Sequence, residues 1–390
     1  MTDRRVWHGE RELPSYPSNL ALMLNANAER FAERPIYQEV QDGAYVPLTW
    51  AEFRHDVTRI QTALSAHGLK RGERVAILSP NRREMLETEL AIMSMGAVAV
   101  PIFAGYAPAA ANALVEFCKP SMVVVADDTQ YRKLATPDRY RLIVHFDALS
   151  VNGADNTMSL KSLMSSNDGS GRIVGEDVPA ETVCLMMYTS GTMGKPKCVQ
   201  LVHRNILSQQ AAMHVLWQLD HTDRFLSYLP WHHSFGGIYE KYAALYNGAV
   251  LSLEHGYGKN IDVLLENWRR VRPTVFFSVP RIYQQMMTKV MQSEEVREAV
   301  FHDELRFVFT AAAPLPKSIS DMFAQRGIPV YEGWGLTETS PCCTVTDPDV
   351  PREPGVVGKP IPGVSLQIAD DGEILVKGPN VMKGYYNNPE

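Results

Sequence analysis

Tyr188-Thr-Ser-Gly-Thr-Met-Gly-Lys-Pro-Lys197 separates two short apolar runs, Val183-Cys-Leu-Met-Met187 and Cys198-Val-Gln-Leu-Val202. Both runs have strand length, and the second leads into a helix-like pattern that begins at His203-Arg-Asn-Ile. The ten residues between them hold two glycines, one proline, two lysines and four hydroxyls, those of Tyr188, Thr189, Ser190 and Thr192. Glycines let backbone N–H groups turn inward, hydroxyls donate hydrogen bonds and lysines add point charge. Together these form a cradle for a polyphosphate.

A Walker A loop would need Gly-Lys followed by Ser or Thr at the start of a helix. Here Pro196 follows Gly194-Lys195, and a strand follows the loop. The pattern is a strand–loop–strand phosphate grip, which excludes a P-loop NTPase. On its own it would also fit a polar hairpin.

Working outward, the chain alternates buried strands with amphipathic helices, which predicts a parallel α/β sheet. Residues 36–48 read as a hairpin turning at Asp42-Gly43, and Thr49 supplies an N-cap for a helix through Ala66 that Gly68 closes. Strands are expected at 74–78, 97–102 and 122–126, with helices over 82–95 and 107–118 between them. Residues 150–180 are rich in Ser, Gly, Asn and Asp and read as a linker. The alternation resumes after Asn205, with strands at 225–229, 248–253, 274–278 and 306–309. From Gly355 onward, Gly-Pro spacing and the Asp371-Gly372 turn predict a small antiparallel β unit.

Three further segments fall just after strands, where α/β sheets gather their ligands. Leu229-Pro-Trp-His-His-Ser-Phe-Gly236 brings His232 and His233. Thr310-Ala-Ala-Ala-Pro-Leu315 is small enough for a flat ring to lie against its backbone. Tyr331-Glu-Gly-Trp-Gly-Leu-Thr-Glu-Thr339 sets Trp334 between glycines, so that it can stack on a purine. In the same segment Thr337 can bond a phosphate oxygen, and Glu338 offers a hard carboxylate suited to Mg²⁺. Taken singly, the histidines read as packing or surface groups, the alanine segment as a tight turn, and Glu338 as a solvated acid.

Taken in order, these motifs resemble those of the adenylate-forming superfamily of acyl-CoA synthetases, peptide-synthetase adenylation domains and luciferases. Tyr-Thr-Ser-Gly-Thr-x-Gly-x-Pro-Lys is similar to its phosphate loop, with Met193 where Thr is usual. The resemblance extends from about Thr49 to Glu390. It implies two α/β subdomains with largely parallel sheets packed together, plus a small distorted β-barrel subdomain. The corresponding boundaries are 1–180, 181–354 and 355–390. The resemblance also implies that the family's Thr-Gly-Asp motif and its C-terminal lid domain, with a catalytic lysine, lie outside these 390 residues. The chain is then the large N-terminal domain, with weak turnover by itself.

Residue by residue, the resemblance assigns the phosphate grip to Thr189, Ser190, Gly191, Thr192, Met193, Gly194 and Lys197. It places adenine against Ala312, Ala313 and Pro314, and against Glu332, Gly333, Trp334, Gly335 and Leu336, with Glu332 presenting a polar group to the ring edge. Thr189, His233, Thr337 and Glu338 become the catalytic set, with Glu338 as the metal ligand. His233 borders the acyl pocket, and His232 replaces the usual Phe in its wall. The expected ligands are ATP, Mg²⁺, coenzyme A and a carboxylic acid. Val279-Pro-Arg-Ile-Tyr-Gln-Gln-Met286, Glu240 and the 355–363 segment resemble long-chain acyl-CoA synthetases most closely, so the expected acid is a medium- to long-chain fatty acid. An aryl or polyketide-type acid loaded onto a carrier protein, and an adenylate- or acyl-binding module without turnover, remain alternatives.

Composition is ordinary for a soluble globular protein: 45% hydrophobic, 21% charged, net charge -6 and pI near 6.0. No basic footprint for nucleic acid exists. The five cysteines are odd in number and lie largely in apolar runs, which points to a reducing cytoplasm. The N-terminus carries no signal-peptide core. Peripheral membrane contact and oligomeric state stay open at this level.

Overall fold

The computed structural model describes residues 6–150, 154–165, 167–169, 171–189, 197–350, 352–353 and 355–388. Within them the chain forms an eight-stranded sheet, a nine-stranded sheet and a three-stranded sheet. In the eight-stranded sheet, Val183–Thr189, Val98–Ile102, Arg74–Leu78, Met122–Val125, Leu142–His145 and Thr157–Ser159 run parallel in that order. Lys197–Val202 and then Gly384–Tyr385 add antiparallel at one edge. In the nine-stranded sheet the parallel set is Val330–Trp334, Phe307–Thr310, Val275–Ser278, Arg224–Ser227, Val250–Leu253 and Pro35–Gln41. The hairpin partner Ala44–Thr49 and the short strands Thr344–Val345 and Lys359–Pro360 complete it antiparallel.

Local sequence accounts for many boundaries. Asp42 and Gly43 both have positive φ, 48° and 80°, as a two-residue hairpin turn requires. Thr49 caps helix Trp50–Ala66 with a reciprocal capping box to Glu52, satisfying two orphan N–H groups. The parallel strands are buried on both faces, and Val-rich runs such as Met122–Val125 supply that burial.

Sheet membership interleaves along the chain. The 35–49 hairpin joins the sheet of the later strands, whereas Val183–Thr189 and Lys197–Val202 close the sheet of the earlier ones. A division at residue 180 therefore cuts one sheet instead of separating two. The small β unit is also completed from afar: Val6–His8 pairs with Ser365–Ile368, which pairs with Ile374–Lys377. The 150–180 stretch is less of a linker than its composition suggests. It contributes an edge strand and helix Leu160–Met164, and Leu160, Leu163, Ile173 and Val178 bury their few apolar side chains.

The two large sheets share one core. Helices Trp50–Ala66 and Arg83–Ser94 pack together, Leu20–Arg30 touches both, and it also reaches Lys241–Asn247. Across this junction the fully buried Lys241 ammonium pairs with Glu89 and lies over the Trp231 and Tyr242 rings at 5.2 and 5.3 Å. Burial lowers the Lys241 pKa and raises that of Glu89, and in each case the partner opposes the shift. Among the described residues no helix is long and apolar enough to cross a membrane.

Candidate active site

The carboxyl end of one strand and the loops that leave the carboxyl ends of three others meet at one cavity of about 830 Å³. Thr189 ends its strand at the cavity wall, and the His segment enters from Arg224–Ser227. Residues 311–314 follow Phe307–Thr310, and residues 335–338 follow Val330–Trp334. Thr189, His232, His233, Ala312, Ala313, Pro314 and the whole run from Glu332 to Glu338 line it. Residues 190–194, the centre of the expected phosphate grip (Ser190, Gly191, Thr192, Met193 and Gly194), lie outside the described residues.

Backbone packing explains the small residues of the purine wall. A Cβ on Gly335 would stand 1.7 Å from the Pro341 carbonyl oxygen, and one on Gly333 2.7 Å from the Phe309 ring. Neither position tolerates a side chain. Ala312 adopts φ 73°, a left-handed conformation that strains any residue with a Cβ.

His233 accepts a hydrogen bond at Nδ1 from the Phe235 N–H, at 3.3 Å. That bond leaves Nε2 as the protonated nitrogen of a neutral ring. Burial lowers its pKa and brings that of His232 down to about 4, with His233 adding to the latter shift. His232 stacks on Phe103 with ring centroids 4.5 Å apart, and Tyr106 meets the same Phe edge-on at 5.3 Å. The His-for-Phe replacement thus keeps an aromatic wall. The Thr337 hydroxyl and the Ser234 hydroxyl lie 3.0 Å apart in a hydrogen bond, tying the Thr-Glu turn to the His segment.

Three residues depart from their expected roles. Tyr188 lines the cavity, but its hydroxyl proton is already donated to the Leu114 carbonyl at 2.6 Å. The Glu332 carboxylate does not present itself to a purine edge. It accepts from the Leu315 N–H at 3.0 Å and pairs with Arg352 at 2.8 Å, both side chains largely buried. Lys197 does not line the cavity; its ammonium lies over the Tyr385 ring, 4.9 Å from the centroid.

Sequence reading missed Arg352, Ser234 and Tyr385. Ser234 adjoins His233 and could have been found by position, but Arg352 and Tyr385 carry no local signal. Tyr385 donates its phenol to Glu338 Oε1 at 2.6 Å. Burial and then this bond push the phenol pKa up to about 12, so it remains a donor. No described residue bonds the second carboxylate oxygen of Glu338. One hard carboxylate lining the cavity, with an oxygen that no described residue bonds, suits Mg²⁺, which takes few protein ligands beside substrate phosphates.

Comparison with known proteins agrees with this geometry. The chain is 26% identical to the long-chain-fatty-acid–CoA ligase FadD15 of Mycobacterium bovis, over 95% of this chain and 69% of that protein. It is 31% identical to the indoleacetate–CoA ligase of Aromatoleum aromaticum, over 87% of this chain and 67% of the relative. The chain thus spans about two thirds of each relative's length. Its fold is similar to the crystal structure of a long-chain-fatty-acid-CoA ligase (FadD1) from Archaeoglobus fulgidus, with TM-score 0.82 at 22% identity, covering 98% of this chain and 80% of that one. The sequence from residue 24 to 386 matches the family described as AMP-binding enzyme. With its strand-end loops gathered on one cavity in the order the motifs predict, this chain belongs to the AMP-binding enzyme family.

Proposed function

We propose that the chain activates a medium- to long-chain fatty acid by adenylation, as the N-terminal part of an acid–CoA ligase. The observation that carries this reading is the convergence of Thr189, His233, residues 312–314 and residues 332–338 on a single cavity. The purine of ATP packs against the Ala312-Ala313 backbone and Trp334. Thr189 and Thr337 donate to phosphate oxygens, with Thr337 held in place by Ser234. The acid's carboxylate attacks the α-phosphorus, its bond to pyrophosphate breaks, and acyl-AMP forms. Neutral His233 presents Nε2–H beside the acyl group without adding a charge to the pocket. Glu338 would hold Mg²⁺, which when bound neutralises polyphosphate charge. The protein's contribution is alignment and preset dipoles. The thiolate of coenzyme A then displaces AMP to give the thioester.

Phe235, Tyr239, Phe309 and Cys342 give the cavity an apolar lining, and the similarity to FadD15 supports a fatty acid. A second reading, an aryl acid, is favoured by the Phe103–His232–Tyr106 aromatic wall and by the similarity to an indoleacetate–CoA ligase. Thermal stabilisation by non-hydrolysable octanoyl, palmitoyl, benzoyl and aminoacyl adenylates, with AMP as baseline, separates the two. A ligand at a hundredfold excess over its Kd adds roughly 2.7 kcal/mol of stability. Gains that grow with chain length support the fatty acid. Gains confined to the benzoyl form replace it with an aryl acid, and no gain with any adenylate defeats the adenylation reading.

A further inference from the structure

Tyr385 stands between Glu338, which the adenylation reading uses, and Lys197, which the motif resemblance assigned to the phosphate grip, two groups far apart in sequence. Its strand, Gly384–Tyr385, pairs antiparallel with Lys197–Val202, Tyr385 opposite Val199. Three backbone bonds fix the segment: Met382 N–H to Glu338 O at 2.8 Å, Lys383 N–H to Gln200 O at 3.0 Å, and Tyr386 N–H to Cys198 O at 2.8 Å. Asn380 adds side-chain N–H bonds to the Thr339 and Cys342 carbonyls. The segment therefore straps the Thr-Glu turn to the strand that leaves the phosphate loop.

The side chain completes the strap. Its O–H donates to Glu338 Oε1 at 2.6 Å, and its ring face carries the Lys197 ammonium at 4.9 Å. A phenol that donates to a carboxylate gains electron density, which strengthens the attraction of its ring for a cation. The ring also keeps two opposite charges apart. Without it the long lysine stem could fold onto Glu338, and a direct ion pair would occupy the carboxylate that a metal needs.

We propose that Tyr385 is a positioning residue: it takes one oxygen of Glu338 and holds Lys197 off the other, and so presets the carboxylate for a divalent cation and the ammonium for the polyphosphate of a nucleoside triphosphate. The proposal rests on the adenylation reading. It predicts that the two functions of the side chain separate by substitution.

The test uses Mn²⁺, followed by electron paramagnetic resonance, together with a non-hydrolysable ATP analogue whose binding is also measured calorimetrically in EDTA. Tyr385→Phe keeps the ring but loses the O–H. It should weaken Mn²⁺ binding in the nucleotide complex roughly 10- to 100-fold, the usual cost of losing a partner of a metal ligand. Metal-free nucleotide affinity and the thermal midpoint without ligand should stay near wild type. Tyr385→Leu should also weaken metal-free nucleotide binding, and Glu338→Gln in that background should restore it by freeing Lys197. Wild-type binding of nucleotide and Mn²⁺ with unchanged Mn²⁺ affinity in Tyr385→Phe overturns the proposal alone. Equal losses with and without metal overturn it as well. A wild-type protein that binds neither probe overturns the adenylation reading and the proposal together.

Discussion

Ala312 illustrates how a single residue can be at odds with its backbone and still occupy its place. Its φ of 73° lies in the left-handed region that favours glycine. An L-residue pays about 1–2 kcal/mol in that region, against the smaller entropy cost of glycine. Ala312→Gly should therefore raise stability by about 0.5–1 kcal/mol. A urea midpoint that moves up at constant slope would bear this out, and one that stays or falls would show that the Ala312 methyl contributes packing that offsets the strain. The sequence did not show this conformation, because a run of three alanines states no dihedral. At the same scale, His233 was legible from its motif, but its neutral tautomer was not. That depends on the Phe235 N–H, which only the turn after Trp231 aims at Nδ1.

At the scale of elements, the strand Val330–Trp334 is held in register from outside. Arg352 returns from the connection after the Thr-Glu turn to pair with Glu332, and its Nη1 also donates to the Ser320 hydroxyl at 2.7 Å. Glu332 thereby fixes the Leu315 N–H at the end of the alanine segment, so one ion pair locks two walls of the purine site together. Arg352→Met would leave a buried carboxylate uncompensated, at about 3–5 kcal/mol. We expect a corresponding fall in the denaturation midpoint, which Glu332→Gln in the Arg352→Met background partly restores. Absence of that rescue would mean the loss comes from packing of the arginine stem. The capping box at Thr49 and the turn at Asp42-Gly43 could be read from sequence, since their partners lie within a few residues. The Arg352 pair joins positions that only the sheet brings together.

For the whole molecule, the shared core sets the response to acid. His203 is fully buried where helix His203–Trp217 begins. Its Nδ1 accepts from the Leu20 N–H at 3.3 Å, and its Nε2 has no partner among the described residues. Burial lowers its pKa from 6.5 to about 4. The unfolded chain then binds more protons than the folded one between those two values, so the contribution is full above about pH 6.5 and is lost as pH falls toward 4. It is on the order of 3 kcal/mol. His203→Gln should flatten the dependence of unfolding free energy on pH across that window, leaving a residual slope from His232. An unchanged slope would mean that the loss of stability comes from other groups.

The sequence by itself determined the α/β alternation, the two strands that flank the 190–196 stretch and the order of the motifs. Each is written in periods, turn residues and spacings that span a few neighbours. Their convergence on one cavity was implied by resemblance, since each motif follows a strand and parallel strands share a carboxyl edge. Only the tertiary structure decided which strands share a sheet, so that the 35–49 hairpin and the Val6–His8 strand join partners more than 200 residues away. It alone decided that Glu332 belongs to Arg352, that the Tyr188 hydroxyl donates to Leu114, and that Tyr385 stands between Lys197 and Glu338. The reason is physical. A buried charge or donor takes whichever partner the closed sheet delivers, and that delivery depends on register and packing, which no local stretch of sequence encodes.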